Sequence, residues 1–290
     1  MARALVLGGG GITGIAWETG LLAGLAEAGV DLTTADRVVG TSAGSIVGAQ
    51  VTSGIGLEEL YRRQLLPPAE LGDTAPLASI GPSVLVRYAA ALVRARGDVE
   101  AFGRVLGRAA VRQAARGRVP TVAERYEQVA QRIGGLVWPD RDLVVTAVDV
   151  GTGELAAFGP RGPLAGVPLE DAVNASCAVP CVYPPIPIGD RTYVDGGMRS
   201  GANADLAAGC DPVVVLAPLD RSLGPLRSAA AQLGDLGVRH VVITPDADAR
   251  AAIGKNVLDP TARPPSARAG RAQAAAHVAE LTELWGDRAG

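Results

Sequence analysis

Three short stretches hold residues whose types and spacing could do chemistry. Gly40-Thr41-Ser42-Ala43-Gly44 has the G-x-S-x-G pattern of a nucleophile elbow, in which a serine sits on a sharp turn between a strand and a helix. The residues before it read as a short strand and those after it as a helix, which is the context the pattern requires. Gly40 and Gly44 leave room for a tight turn. Ser42 would project over the N-terminus of the following helix, where the dipole favours the negative charge that develops in acyl transfer. A serine there can also be an ordinary helix N-cap, but the strand–turn–helix setting favours a nucleophile.

Gly8-Gly9-Gly10-Gly11-Ile12-Thr13-Gly14 directly follows the first apolar run. Glycine tolerates positive φ, so several N–H groups here can converge on one anion. One candidate is the oxyanion of a tetrahedral acyl intermediate. The other is a nucleotide phosphate, because Gly9-x-Gly11-x-x-Gly14 also fits the dinucleotide fingerprint. That fingerprint expects an acidic residue about 20 positions on, at the end of the second strand. Asp31 and Asp36 instead precede that strand, and no P-loop lysine is present. With an elbow on the next strand, the oxyanion reading is the more economical.

A serine nucleophile needs a base. The chain has two histidines, His240 and His277. His240 lies inside an apolar strand-like run and reads as a packing residue, although a His240-dependent triad remains an alternative. His277 reads as mid-helix and exposed. Asp195, in Val194-Asp195-Gly196-Gly197, is delivered by a strand to a sheet edge. Gly196 and Gly197 let the chain turn away beside it. Within hydrogen-bond reach, an aspartate can take the serine proton directly. Asp-Gly is equally a common hairpin turn, and the residue alone favours the turn. Cys177 and Cys181 flank a proline-rich block and read as small buried hydrophobes rather than a redox pair.

The elements that must position these groups follow from periodicity. Ala2–Leu7 reads as a buried strand, Ile15–Ala28 as a helix, Arg37–Val39 as a strand and Gly44–Ser53 as a helix. This alternation implies a parallel sheet covered on both faces. Residues 56–135 read as four helices with no convincing strand, a helical insertion or cap. Thr121 and Glu124 form a capping box for the last of them. Val84–Val93 is strongly apolar, with Arg87, Arg94 and Arg96 nearby. A helix packed on the sheet accounts for it, and a helix in transient contact with a membrane surface is the alternative. Strands return at Leu143–Val148 and Leu155–Phe158 around a hairpin-like turn. A helix over Leu169–Ser176 follows, then strands at Arg191–Val194, Val213–Leu216 and His240–Ile243. Helices are expected at Leu226–Leu236 and Ser266–Trp285, the second extending to about residue 286. The pattern is expected to form one α/β domain over residues 1–290.

Composition narrows the function. The chain has 290 residues, 48% hydrophobic and 20% charged, the balance of a globular protein. Its 27 basic and 30 acidic residues give a net charge of −3, which implies no general nucleic-acid role. Three cysteines exclude a disulfide framework, lack metal-ligand spacing and fit a reducing compartment. The first residues do not read as an export signal, so a cytoplasmic protein is expected. Lys255 is the only lysine. The arginine excess therefore reads as coding bias.

Four blocks in order resemble the patatin-like phospholipases. They are Leu7 to Gly11 with Gly14, Gly40 to Gly44, Ala175-Ser176 with Pro180 and Tyr183-Pro184-Pro185, and Asp195-Gly196-Gly197. The resemblance implies a three-layer α/β/α sandwich with a mostly parallel central sheet. It also implies a Ser42–Asp195 dyad that cleaves lipid acyl esters through an acyl-serine intermediate. Gly9, Gly10 and Gly11 would line the oxyanion hole, and neither metal nor organic cofactor would be needed. Thr13 stands where the family's loop usually carries Arg or Lys. It supplies no charge for an anionic head group, so acyl-ester hydrolysis is expected while the head group stays open.

Overall fold

The structure, a computed structural model, describes residues 1–71, 81–219 and 228–286. Its strands are β1 (Ala2–Leu7), β2 (Arg37–Thr41), β3 (Asp142–Asp149), β4 (Leu155–Phe158), β5 (Ile186–Ile188), β6 (Arg191–Asp195), β7 (Cys210–Leu216) and β8 (His240–Ile243). The helices of the first half are α1 (Gly11–Glu27), α2 (Ala43–Thr52), α3 (Leu57–Gln64), α4 (Pro82–Ala95), α5 (Val99–Ala115) and α6 (Val122–Ile133). Those of the second half are α7 (Leu169–Ser176), α8 (Ala229–Leu236), α9 (Ala247–Ile253), α10 (Arg263–Gln273) and α11 (Val278–Gly286).

The strands form one mixed, mostly parallel sheet in the order β5-β6-β3-β2-β1-β7-β8, with β4 also paired to β3. β1, β2, β3, β7 and β8 run parallel, whereas β4, β5 and β6 are antiparallel to their neighbours. Side chains alternate between the two faces. Leu5, Leu7, Val38, Leu143, Val145 and Ala147 join the main core with residues of α1, α2, α6 and α7. Ala4, Val6, Val39, Val213 and Val215 face the other way, onto Ala204, Ala207 and Leu233 of α8. Both faces are covered, giving the α/β/α layering, and the central strands are continuous apolar runs for that reason.

The helices of 56–135 are divided between these layers. Leu60 of α3 and Val129 and Ile133 of α6 belong to the main core. Phe102 and Leu106 of α5, with Val84 and Tyr88 of α4, pack on Val148, Val150 and Val194, which point away from it. Both halves of the Thr121–Glu124 capping box form.

Four elements differ from the sequence expectation. The glycine run is not all loop, because α1 already begins at Gly11. The proline-rich block contains β5, an edge strand whose Pro187 points outward, a position where a missing N–H costs nothing. The C-terminal helix is split into α10 and α11 by a 3-10 turn over Ala274–His277, and α9 precedes them. α8 begins at Ala229. Residues 226 and 227, where this helix was expected to start, lie outside the described residues.

Candidate active site

The sheet register brings Ser42 and Asp195 together. Val145 pairs with Gly40 of β2 and Phe158 of β4, and Val148 pairs with Leu155 of β4 and Val194 of β6. β4 therefore takes one edge of β3, while β2 and β6 share the other edge in succession. β2 runs up this edge to Thr41, opposite Thr146. β6 runs down it to Asp195, opposite Ala147. The two strands thus end head to head at adjacent rungs and bring together Ser42 and Asp195, 153 positions apart in sequence.

A buried polar knot holds this junction. Thr41 Oγ1 and Thr146 Oγ1 are 2.9 Å apart. The Asn203 amide nitrogen lies 3.1 Å from Thr41 Oγ1, 3.3 Å from the Gly196 carbonyl and 3.0 Å from the Ser200 carbonyl. Asn203 adopts φ 51°, a left-handed conformation that asparagine tolerates. Gly196 is required here, since a methyl group on it would strike the Thr146 hydroxyl and carbonyl.

Ser42 stands at φ 53° and ψ −115°, an unfavourable region for a residue with a Cβ. Strain of this kind is worth about 1–3 kcal/mol and must be imposed by the surroundings. Its N–H donates to Ser176 Oγ at 2.9 Å, and its carbonyl accepts from Ser45 Oγ at 2.6 Å and Cys177 Sγ at 3.3 Å. It occupies the N-cap position of α2, but its side chain makes no capping hydrogen bond. The flanking glycines are steric necessities. A Cβ on Gly40 would meet the Gly44 carbonyl at 2.6 Å, and one on Gly44 would run into the Leu7 carbonyl. The Gly44 N–H donates to the Gly8 carbonyl at 3.0 Å, tying the elbow to the glycine loop.

Asp195 is 3% exposed. Instead of entering a hairpin turn, it precedes a 3-10 turn over Gly196–Met198, and its Oδ1 accepts the Gly197 N–H at 2.7 Å. Burial pushes its pKa from 3.8 up to about 6. Hydrogen bonding from the Ser42 side chain, the Gly197 N–H and the charge of Arg125 all pull the other way.

The glycine loop divides its amides. Gly8 N–H donates to the Leu216 carbonyl at 2.9 Å and Gly9 N–H to the Gly201 carbonyl at 2.8 Å. Gly9 therefore packs beside Ser42, with its amide engaged elsewhere. Gly10 and Gly11 have no acceptor among the described residues, and α1 places them at the positive end of a 17-residue helix. The Ala43 N–H, at the start of α2, is similarly placed. Thr13 is fully buried, and its N–H and hydroxyl engage the Val257 carbonyl at 3.1 and 3.3 Å, so it braces the loop.

Sequence reasoning missed the bracket behind the site. Ser176 and Cys177 hold the N–H and carbonyl of Ser42, while the Ala178 carbonyl accepts the Asp195 N–H at 3.0 Å. Arg125 of α6 donates to the Cys177 carbonyl at 3.2 Å and stacks 3.9 Å over the Tyr183 ring. Only the Ala175-Ser176 block hinted at this arrangement. The histidines lie elsewhere. His240 opens β8 at the amino end of the sheet, with Nδ1 2.9 Å from the Val238 carbonyl, and His277 lies in the turn before α11. Among the described residues no group of His, Cys, Asp and Glu could hold a metal.

No curated protein matches the chain. Among solved structures, VipD from Legionella pneumophila is 14% identical at a TM-score of 0.48, with 97% of this chain and 67% of that one covered. The type III effector protein ExoU is 16% identical at a TM-score of 0.39, and the chain spans 53% of its length while itself being 97% covered. The sequence model of the patatin-like phospholipases matches residues 5–208, which include the glycine loop, the elbow and Asp195, and the chain belongs to that family.

Proposed function

We propose that the chain hydrolyses lipid acyl esters with Ser42 as nucleophile and Asp195 as its base. The observation that carries this reading is Ser42, held at positive φ by bonds to both sides of its peptide, beside a buried carboxylate. Asp195 takes the Ser42 proton as Oγ attacks the ester carbon. The resulting oxyanion is met by the Gly10 and Gly11 N–H groups, with the Ala43 N–H on the elbow side. Gly9 supports the loop rather than donating. As the C–O bond breaks, the proton on Asp195 passes to the leaving alcohol. Water, deprotonated by Asp195, then attacks the acyl-Ser42 ester, and the proton returns to Ser42 as the acid leaves.

Nothing in this sequence of steps calls on a metal or organic cofactor. Membership of the patatin-like phospholipase family supports a lipid ester as substrate. Three free thiols fit a cytoplasmic setting. No helix among the described residues is long and apolar enough to cross a membrane.

Hydrolysis of a short-chain aryl ester and of a phospholipid, by wild type and Ser42→Ala, tests the reading. Wild type is expected to cleave and to take a fluorophosphonate label on Ser42. Ser42→Ala is expected to lose at least about 10⁴-fold in kcat, or roughly 5.5 kcal/mol of barrier. Turnover that survives Ser42→Ala, or a wild type that neither cleaves nor labels, overturns it.

A further inference from the structure

The hairpin of α4 and α5 stands beside this site, and its outward surface differs from the rest of the molecule. Residues 82–118 hold eight arginines against Asp98 and Glu100, a net charge of +6 in a chain whose total is −3. The remainder therefore carries −9, so a genome-wide preference for arginine does not explain the excess. Arg104 is paired with Asp98 and Glu100. Arg108, Arg112 and Arg116 are exposed and follow one another at four-residue spacing, with no carboxylate partner among the described residues. Like charges at that spacing destabilise a helix. The helix C-terminus offsets this for the last two but not for Arg108.

The adjoining helix adds an apolar surface. Val84, Tyr88, Ala91 and Ala95 form the buried stripe of α4. On its outer side Leu85, Val86, Leu92 and Val93 are 49%, 67%, 41% and 77% exposed. With Val111 of α5, these are five of the nine exposed large hydrophobics among the described residues. A patch of this kind on one hairpin marks an interaction surface. A nucleic-acid partner would account for the arginines but not for the leucines and valines. An interfacial lipid layer takes both.

The hairpin also borders the site. Burial raises the pKa of the Cys181 thiol, in the wall between α7 and β5, while the charges of Arg87 and Arg112 lower it; burial and then the charge of Asp195 push the Tyr88 hydroxyl up. Tyr88 and Tyr183 share one apolar cluster.

We propose that the outward face of the α4–α5 hairpin docks the protein on an anionic lipid surface. Leu85, Val86, Leu92 and Val93 enter the acyl boundary, and Arg108, Arg112 and Arg116 meet headgroup phosphates. This placement rests on the proposed function only for the lipid nature of the substrate.

Flotation with phosphatidylcholine vesicles, alone or mixed with phosphatidylglycerol, tests the docking in a Ser42→Ala background that leaves vesicles intact. Binding to the mixed vesicles is expected, weakened by salt, with little binding to phosphatidylcholine alone. Arg108→Glu with Arg112→Glu should lose at least about tenfold in partitioning. Val86→Ser with Val93→Ser should also lose binding, and Arg268→Glu on α10 should not. With Ser42 restored, the hairpin variants should keep wild-type turnover of a soluble short-chain ester, while hydrolysis of vesicle lipid falls.

Equal binding to both vesicle types overturns the proposal, as does equal loss in the Arg268→Glu control. A Val86/Val93-dependent dimer without vesicle binding overturns it in favour of a second copy of the chain. Vesicle binding without any esterase activity would sink the proposed function and leave the docking face standing.

Discussion

The strand junction around Ser42 and Asp195 and the α4–α5 hairpin are built on opposite terms. At the junction the N–H and carbonyl of Ser42, the N–H of Asp195 and the side chain of Asn203 all have partners within the fold. The hairpin turns Leu85, Val86, Leu92, Val93, Arg108 and Arg116 outward, and the two arginines have no hydrogen-bond or carboxylate partner among the described residues. At the junction, replacing an atom must disturb another. On the hairpin, replacement should leave the fold alone and change only what the surface meets.

Substitutions can break this contrast or sharpen it. The largest stability effect is expected at the elbow. Gly44→Ala places a methyl group in the Leu7 carbonyl and should cost about 3 kcal/mol or more, or prevent folding, as read by chemical denaturation. An unchanged midpoint would show that the junction yields more easily than its bonds imply.

Asp195→Asn should abolish turnover yet stabilise the fold at pH 8. The folded carboxyl, with a pKa of about 6 against an ordinary 3.8, favours its protonated form. The stability this contributes is complete below pH 3.8 and lost as pH rises through about 6. Ionised Asp195 therefore costs up to about 3 kcal/mol at pH 8. The gain in the variant should shrink to nothing near pH 4. By the same ionisation, wild-type kcat/KM should rise with pH through about 6 as the base form appears.

Arg125→Met should cost about 1 kcal/mol through the lost bond to Cys177. It should also move the acidic limb of kcat/KM to higher pH, because a positive charge near Asp195 is gone. Arg125→Lys should retain the limb. An unmoved limb in Arg125→Met would reduce Arg125 to packing. The smallest effect is expected on the hairpin, where Val93→Ser should change stability by no more than about 0.5 kcal/mol. A larger loss would mean that this face is covered within the fold.

Much of the site was legible without coordinates because its constraints are local. A turn as tight as the elbow admits almost nothing but glycine at Gly40 and Gly44, and such necessity writes itself into the residue types. The same holds for the continuous apolar runs of the central strands and for the capping box at Thr121. β5 was hidden because prolines read as a connection unless the strand is known to lie on an edge. α1 was read as starting late because glycines carry no helical signal of their own.

By itself, then, the amino-acid sequence determined most of the elements and the elbow, since steric exclusion and periodicity act over a few neighbouring residues, and the pairing of Ser42 with Asp195 came from the family resemblance. Only the tertiary structure decided that β2 and β6 meet on one edge of β3. It alone turned the Gly9 amide toward Gly201, brought Arg125 and Asn203 behind the site and buried Asp195 deeply enough to raise its pKa. Those outcomes depend on register, on desolvation and on partners that the fold brings in from distant elements, and no local pattern encodes any of them.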